Sequence, residues 1–237
     1  TILPNENYLY YADTDNTPYG TKTREEVKGF AFRAVEFLVS HGIKALVIAC
    51  NTATSVSVED LRRKYDFPII GMEPAVKPAV AKSQNGGKRV LVLSTALTLR
   101  EVKFQDLVAR VDTEHIVDKL PAPKLVELAE RFVFDGPEVE TYLKELIPWD
   151  RMDRYGTIVL GCTHFLFFRD ALSRMLPAGI DIIDGNLGTV RHLYDVLRSR
   201  NLLETSQKKG RILFFRSGVP VEDPVLLDKY NRLLGLK

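Results

Sequence analysis

Two cysteines stand in matching contexts. Ala45 to Ala53 reads A-L-V-I-A-C-N-T-A and Thr157 to His164 reads T-I-V-L-G-C-T-H. In each, an apolar run ends in a small residue, a cysteine and hydrogen-bonding side chains that lead towards a helix. Cys50 and Cys162 are the only cysteines in the chain, too few for a disulfide scaffold or a four-thiolate zinc site. Each is a packed core residue, half of one bridge, or a reagent. The matched contexts favour the reagent, because strand ends that face each other would put both thiols in one cleft. Two thiols across a small carboxylate suit the inversion of a carbon centre: a base removes a proton from one face while an acid delivers one to the other. A thiolate and a thiol are one residue in two protonation states, so the pair runs in either direction. The base has to ionise near neutral pH, which calls for hydrogen-bond donors, a helix N-terminus or a charged partner beside it.

Strands and helices must position these residues. After the strand-like Tyr8 to Tyr11, the segment Asp13 to Gly20 is rich in turn formers. Thr23 and Glu26 then have capping-box spacing, and Val27, Phe30, Ala31, Ala34, Phe37 and Leu38 make one apolar stripe that stops at His41-Gly42. Ala45 to Ala49 is a continuous apolar run without alternation, the pattern of a strand buried on both faces of a parallel sheet. Further strands are expected at 68–72, 89–93, 115–117, 157–161, 181–183 and 211–215. The clearest helices are expected at 58–65, 100–110, 124–132, 138–147, 169–176, 190–198 and 224–234. Alternating strand and helix predicts an open α/β sheet with right-handed crossovers, which binds ligands at the carboxyl ends of its strands. There, Ala49 and Gly161 are expected to let backbone approach a ligand, and the following helix amides to favour a carboxylate. Asn51, Thr52 and Thr163 add side-chain donors.

Composition narrows the partner. The 237 residues are 45% hydrophobic and 27% charged, with 15 Gly and 12 Pro scattered along the chain, which describes a packed globular protein and excludes disorder, collagen and coiled coil. Lys plus Arg number 33 against 31 Asp plus Glu, a net charge of +2, so nucleic acid is not expected as a partner and a small ligand is. The basic stretch Arg198 to Arg211 reads as a solvated connector. No apolar run approaches the roughly 20 residues of a membrane-spanning helix and no signal peptide opens the chain, so no membrane is expected and the cytoplasm is the default location.

These residues, taken with Pro18-Tyr19-Gly20, resemble the glutamate racemase family. The resemblance runs through Leu3-Pro4-Asn5-Glu6, Asp13-Thr14, Pro18-Tyr19-Gly20, Ala49-Cys50-Asn51-Thr52-Ala53, Thr95 with Thr98, and Gly161-Cys162-Thr163-His164, and its specificity lies in their order and spacing. It implies cofactor-independent interconversion of L- and D-glutamate, without pyridoxal phosphate or metal, supplying D-glutamate for peptidoglycan. Cys50 and Cys162 are by resemblance the acid/base thiols, with His164 assisting the second and Glu130 completing the catalytic group. Pro18, Tyr19, Gly20, Asn51, Thr52 and Thr163 would hold the amino acid's polar groups, and Thr95 and Thr98 would line the carboxylate pocket. Read from the residues alone, Glu130 is a solvated helix-face residue and Thr95 and Thr98 are equally suited to capping the next helix. By the same resemblance, the ending Gly-Cys-Thr-His implies glutamate rather than aspartate as substrate.

The resemblance also implies two flavodoxin-like α/β lobes with mainly parallel sheets, related by approximate two-fold symmetry, with the site between them. Residues 1–73 and 186–237 would form a discontinuous first lobe, 74–185 the second, and two copies a homodimer. Three departures are visible. Family members begin with a strand ending in an Asp-Ser-Gly-Val-Gly-Gly loop that assists the first thiol; nothing here matches it, and with no initiator methionine it is expected upstream of Thr1. Phe165-Leu166-Phe167-Phe168 stands where Tyr-Pro-Leu-Leu is usual, and Asp184-Gly185 where Asp-Ser is common. The first departure motivates a second reading, a non-catalytic amino-acid-binding or regulatory protein on a racemase scaffold. A third keeps the enzyme but changes the substrate to aspartate or another carboxylate.

Overall fold

A computed structural model describes residues 2–84 and 86–235. Nine strands are described: β1 (Tyr8–Ala12), β2 (Leu46–Ile48), β3 (Ile69–Gly71), β4 (Arg89–Ser94), β5 (Val117–Pro121), β6 (Tyr155–Leu160), β7 (Asp181–Asp184), β8 (Ile212–Arg216) and β9 (Val219–Pro220). Ten α-helices are interleaved with them: α1 (Arg24–Ser40), α2 (Asn51–Lys64), α3 (Val76–Gln84), α4 (Ala96–Arg100), α5 (Val102–Val111), α6 (Pro123–Glu130), α7 (Pro137–Leu146), α8 (Arg169–Met175), α9 (Asn186–Ser199) and α10 (Pro224–Leu233). The fold is α/β with mainly parallel sheets.

The strands form three sheets among the described residues: β5-β4-β6-β7, all parallel; β2-β3, parallel; and β1-β8-β9, in which only the β8–β9 pairing is antiparallel. In β4 and β6 the residues Val90 to Leu93 and Ile158 to Leu160 are at most 2% exposed, as expected of unalternating apolar runs covered on both faces. Successive residues point to opposite faces. Leu91, Leu93 and Leu160 therefore pack on Leu125, Leu128, Leu143 and Phe168, whereas Val90, Val92 and Val159 pack on Val76, Val80, Phe104 and Leu107. A third core joins Val27, Val35 and Leu38 of α1 to Val56 and Leu61 of α2 over β2 and β3.

The capping box of α1 forms: Glu26 N–H donates to Thr23 Oγ1 and the Thr23 N–H to the Glu26 carboxylate. Several boundaries depart from the sequence expectation. The helix expected at 58–65 begins at Asn51, directly behind Cys50. The helix expected at 100–110 is two helices, broken at Glu101, whose backbone is extended. The strand expected at 115–117 runs Val117–Pro121, because the Asp112 carboxylate accepts from the Ile116 and Val117 amides and His115 adopts a φ of 55°. α3 has no counterpart among the helices expected from the sequence. None of the described helices is long and apolar enough to cross a membrane.

Candidate active site

Each cysteine is the residue that joins a parallel strand to the helix after it. Cys50 follows β2 and is the N-cap of α2; Cys162 follows β6 and is the N-cap of a short 3-10 turn, Thr163–Phe168. Local geometry then diverges. Cys50 Sγ accepts from the Ala53 N–H at 3.4 Å, so the thiol takes up one of the donors that a helix start leaves unpaired. Burial pushes this thiol up to about 11 and the charge of Cys162 adds to it, while hydrogen bonds from Ala53 and Thr52 pull the other way. Cys162, which is buried, makes no such capping bond; its Sγ lies 3.8 Å from His164 Nδ1.

His164 in turn faces Glu130, the last residue of α6, with Nε2 and Oε1 2.6 Å apart. Burial alone would push the imidazole down, but its bonds to Cys162 and Glu130 outweigh that and raise it to about 10. The solvated-face reading of Glu130 is thus incomplete: the carboxylate is partly exposed, yet it is aimed at the histidine. Together Cys162, His164 and Glu130 form a line of three groups, with the imidazole between the thiol and the carboxyl group.

The hydroxyls of Thr52, Thr95 and Thr98 meet in a buried triangle, with Thr52 2.9 Å from Thr95 and 3.0 Å from Thr98, and Thr95 3.0 Å from Thr98. Thr95 also caps α4 by accepting from the Thr98 N–H, so the capping and pocket readings hold of the same side chain. Gly20 lies against this triangle: a Cβ there would sit 2.8 Å from Thr95 Cβ. Pro18 precedes the 3-10 turn Tyr19–Thr21, and its carbonyl accepts from Thr21 Oγ1. The Tyr19 hydroxyl donates to the Asp13 carboxylate; burial and that bond push the phenol far above its usual range.

Asn51 is buried and its Oδ1 has no partner among the described residues; it lines a small cavity with Met72, Glu73, Pro74 and Lys103. Thr163 opens the turn behind Cys162, and its side chain bonds to no other described residue. Among the described residues, no group of three or more His, Cys, Asp or Glu side chains is gathered to hold a metal ion.

Two contacts extend the sequence reading. At Gly161 a Cβ would lie 2.9 Å from the Leu93 carbonyl and 3.1 Å from Ser94, so the absence of a side chain there serves strand packing. Ser94 Oγ donates to the Gly161 carbonyl at 2.7 Å, tying the end of β4 to the residue before Cys162. No sequence signal marks Ser94, whereas Asp13 could have been found from its place six residues before Tyr19 in a turn-rich loop.

The chain matches the model of the Asp/Glu/hydantoin racemase family over residues 2–193. It is similar to a glutamate racemase of Halothermothrix orenii, 55% identical over 233 residues that cover 98% of this chain and 90% of that protein. Among solved structures it resembles a glutamate racemase isoform of Bacillus anthracis, with a TM-score of 0.82 and 26% identity, covering 99% of this chain and 86% of the other. It also resembles the Francisella tularensis glutamate racemase solved in complex with D-glutamate, with a TM-score of 0.80 and 25% identity, covering 98% and 86% of the two chains.

Proposed function

The chain belongs to the Asp/Glu/hydantoin racemase family, and from that membership we propose that it interconverts L- and D-glutamate by two-thiol proton transfer at the α-carbon. The observation that carries the mechanism is the matched placement of the thiols, each at the carboxyl end of a parallel strand and each heading the next turn of helix. One thiolate removes the α-proton from one face, and the opposite thiol returns a proton to the other. The carbanion between them has the adjoining carboxylate over which to spread its charge. Product release leaves the two thiols with exchanged protonation states, ready for the opposite enantiomer.

Cys162 works through His164 and Glu130, and Cys50 through the amide end of α2 and Thr52. Thr52, Thr95, Thr98 and Thr163 supply hydroxyls to the substrate carboxylates, and the unpartnered Asn51 Oδ1 accepts from its ammonium. Pro18, Tyr19 and Gly20 form the wall beside Thr95. Lobe boundaries at 73/74 and 185/186 belong to the same proposal: β8 returns to pair with β1, and Gly185 packs on the Glu73 carbonyl where the two crossings meet. So do a cytoplasmic location, where thiols stay reduced, a homodimer, for which the family likeness is the support, and supply of D-glutamate to peptidoglycan.

The test is substrate choice with isotope capture. In deuterated water, L-glutamate should become D-glutamate carrying deuterium at the α-carbon, without pyridoxal phosphate or added metal, and L-aspartate should turn over at least about a hundredfold more slowly. Unlabelled product or preference for aspartate would overturn the assignment.

A further inference from the structure

Glu130 and His164 belong to separate elements, the end of α6 and the 3-10 turn Thr163–Phe168, and a 2.6 Å contact between them has to be held by something other than itself. Two residues beyond α6, Phe132 takes a φ of 58°, a conformation that bulky side chains rarely adopt. Its amide returns to the Ala129 carbonyl and that of Val133 to Leu128, which stops the helix and sends Phe134 towards the histidine's turn. There the Phe134 ring stacks on Phe167, with centroids 4.6 Å apart and planes 27° apart, and meets the fully buried Phe168 edge-on at 6.4 Å. Phe167 is 38% exposed, so core burial does not account for it.

We propose that the Phe134–Phe167 stack braces the turn carrying Glu130 against the turn carrying His164, making Phe134 and Phe167 positioning residues for proton transfer at Cys162. This rests on the reading of Cys162 as an acid/base thiol. The physical reason is angular. The two elements share the buried core through Leu125, Leu128, Phe165 and Phe168, but at their outer ends, where Glu130 meets His164, a face-to-face ring pair a few residues away adds a second fixed point and a plane to the imidazole–carboxylate bond. An outer stay is present as well, since Lys229 Nζ of α10 lies 5.1 Å over the Phe132 ring. The groups facing the braced pair are Cys162 on the histidine side and the hydroxyls of Tyr10 and Tyr230, both of which feel the Glu130 charge. Loosening the brace leaves these in place and weakens the Glu130 contact, so the imidazolium becomes easier to deprotonate.

The experiment follows the His164 imidazole by NMR titration, its signal assigned with His164→Gln, in the full chain and in Phe134→Leu, Phe167→Leu and Phe167→Tyr. Leucine keeps apolar volume and removes the stack; tyrosine keeps the stack. Each leucine variant should lower the His164 midpoint by roughly half a unit to one unit and reduce kcat/KM about fivefold, with Phe167→Tyr within about twofold of the parent. Because the two rings are on different elements, one leucine variant still tests the brace if the other fails to fold. An unmoved His164 midpoint in a folded leucine variant overturns the proposal, whatever happens to turnover. If the parent chain does not racemise glutamate, the functional reading fails while the titration still decides the brace.

Discussion

The surroundings of Cys50 and Cys162 differ more than their matching sequence contexts do. Cys50 is served by an amide and a hydroxyl, which are neutral dipoles; Cys162 is served by a histidine and a carboxylate, which carry charge and titrate. On the two-thiol proposal, a symmetric reaction would be run by an asymmetric pair. The equilibrium between enantiomers is even by symmetry, so kcat/KM must respond equally in both directions to any change. The asymmetry is confined to kcat and KM taken separately, to isotope effects, and to pH.

The largest effect tests whether the comparison is between equals at all. Cys50→Ala and Cys162→Ala should each lower racemisation by about a thousandfold or more, measured by polarimetry from either enantiomer. If one variant keeps more than a few hundredths of the parent rate, that thiol is not one of the two bases.

Next in size is the removal of charge on one side only. Glu130→Gln keeps a hydrogen-bond acceptor but not the carboxylate, and turnover should fall by about tenfold to a hundredfold. It also has a signature in stability. The His164 pKa is raised to about 10 in the folded protein against about 6.5 in an unfolded chain. The folded state therefore holds the proton more tightly, and the stabilisation is fully present below about pH 6.5 and is lost as pH rises through about 10. Urea midpoints measured between these limits should fall with pH in the parent and fall less steeply in Glu130→Gln. Equal slopes would mean that Glu130 does not hold the imidazolium.

How much of this could be read from sequence follows the same divide. Strand ends, the two thiols and the α1 capping box are legible because short-range rules govern them: apolar runs, helical period and Thr-to-Glu spacing. The start of α2 is not, since Asn51, Thr52 and Thr54 are poor helix formers and its N-cap is a cysteine. The break at Glu101 depends on another element, through the pairing of Arg24 with its carboxylate. The His164–Glu130 contact and the Phe134–Phe167 stack link residues more than thirty positions apart, and no local period encodes them. Family resemblance reaches the first of these contacts and not the second.

On the Cys50 side the support is packing. Gly20→Ala would place a Cβ 2.8 Å from Thr95 Cβ and 3.0 Å from Thr95 Cγ2. Because the obstructed atom is the stem of a buried, branched side chain, the hydroxyl triangle has to shift, at about 1–3 kcal/mol of stability. Thermal or urea unfolding should show that loss, with turnover lowered severalfold and the His164 titration unchanged. A shifted His164 would mean that the surroundings of the two cysteines are coupled.

The smallest effect isolates the Thr52 hydroxyl, which lowers the Cys50 thiol against its burial. Thr52→Val keeps shape and removes the hydroxyl, and Thr95 and Thr98 remain bonded to each other, so stability should fall by only about 1 kcal/mol. Without the Thr52 bond, a thiol already pushed up to about 11 ionises less readily, while its burial and the charge of Cys162 are unchanged. In the direction where Cys50 is the base, proton removal becomes harder, and kcat should fall with a larger deuterium isotope effect on the α-proton. In the other direction Cys50 is the acid and enters already protonated, so kcat should change less and KM must move to keep the two kcat/KM values equal. Thr52→Ser, which restores a hydroxyl, should return both directions towards the parent. Equal losses of kcat from L- and D-glutamate would show that Thr52 serves the substrate and not the thiol, and the contrast between the two cysteines would then rest on His164 and Glu130 alone.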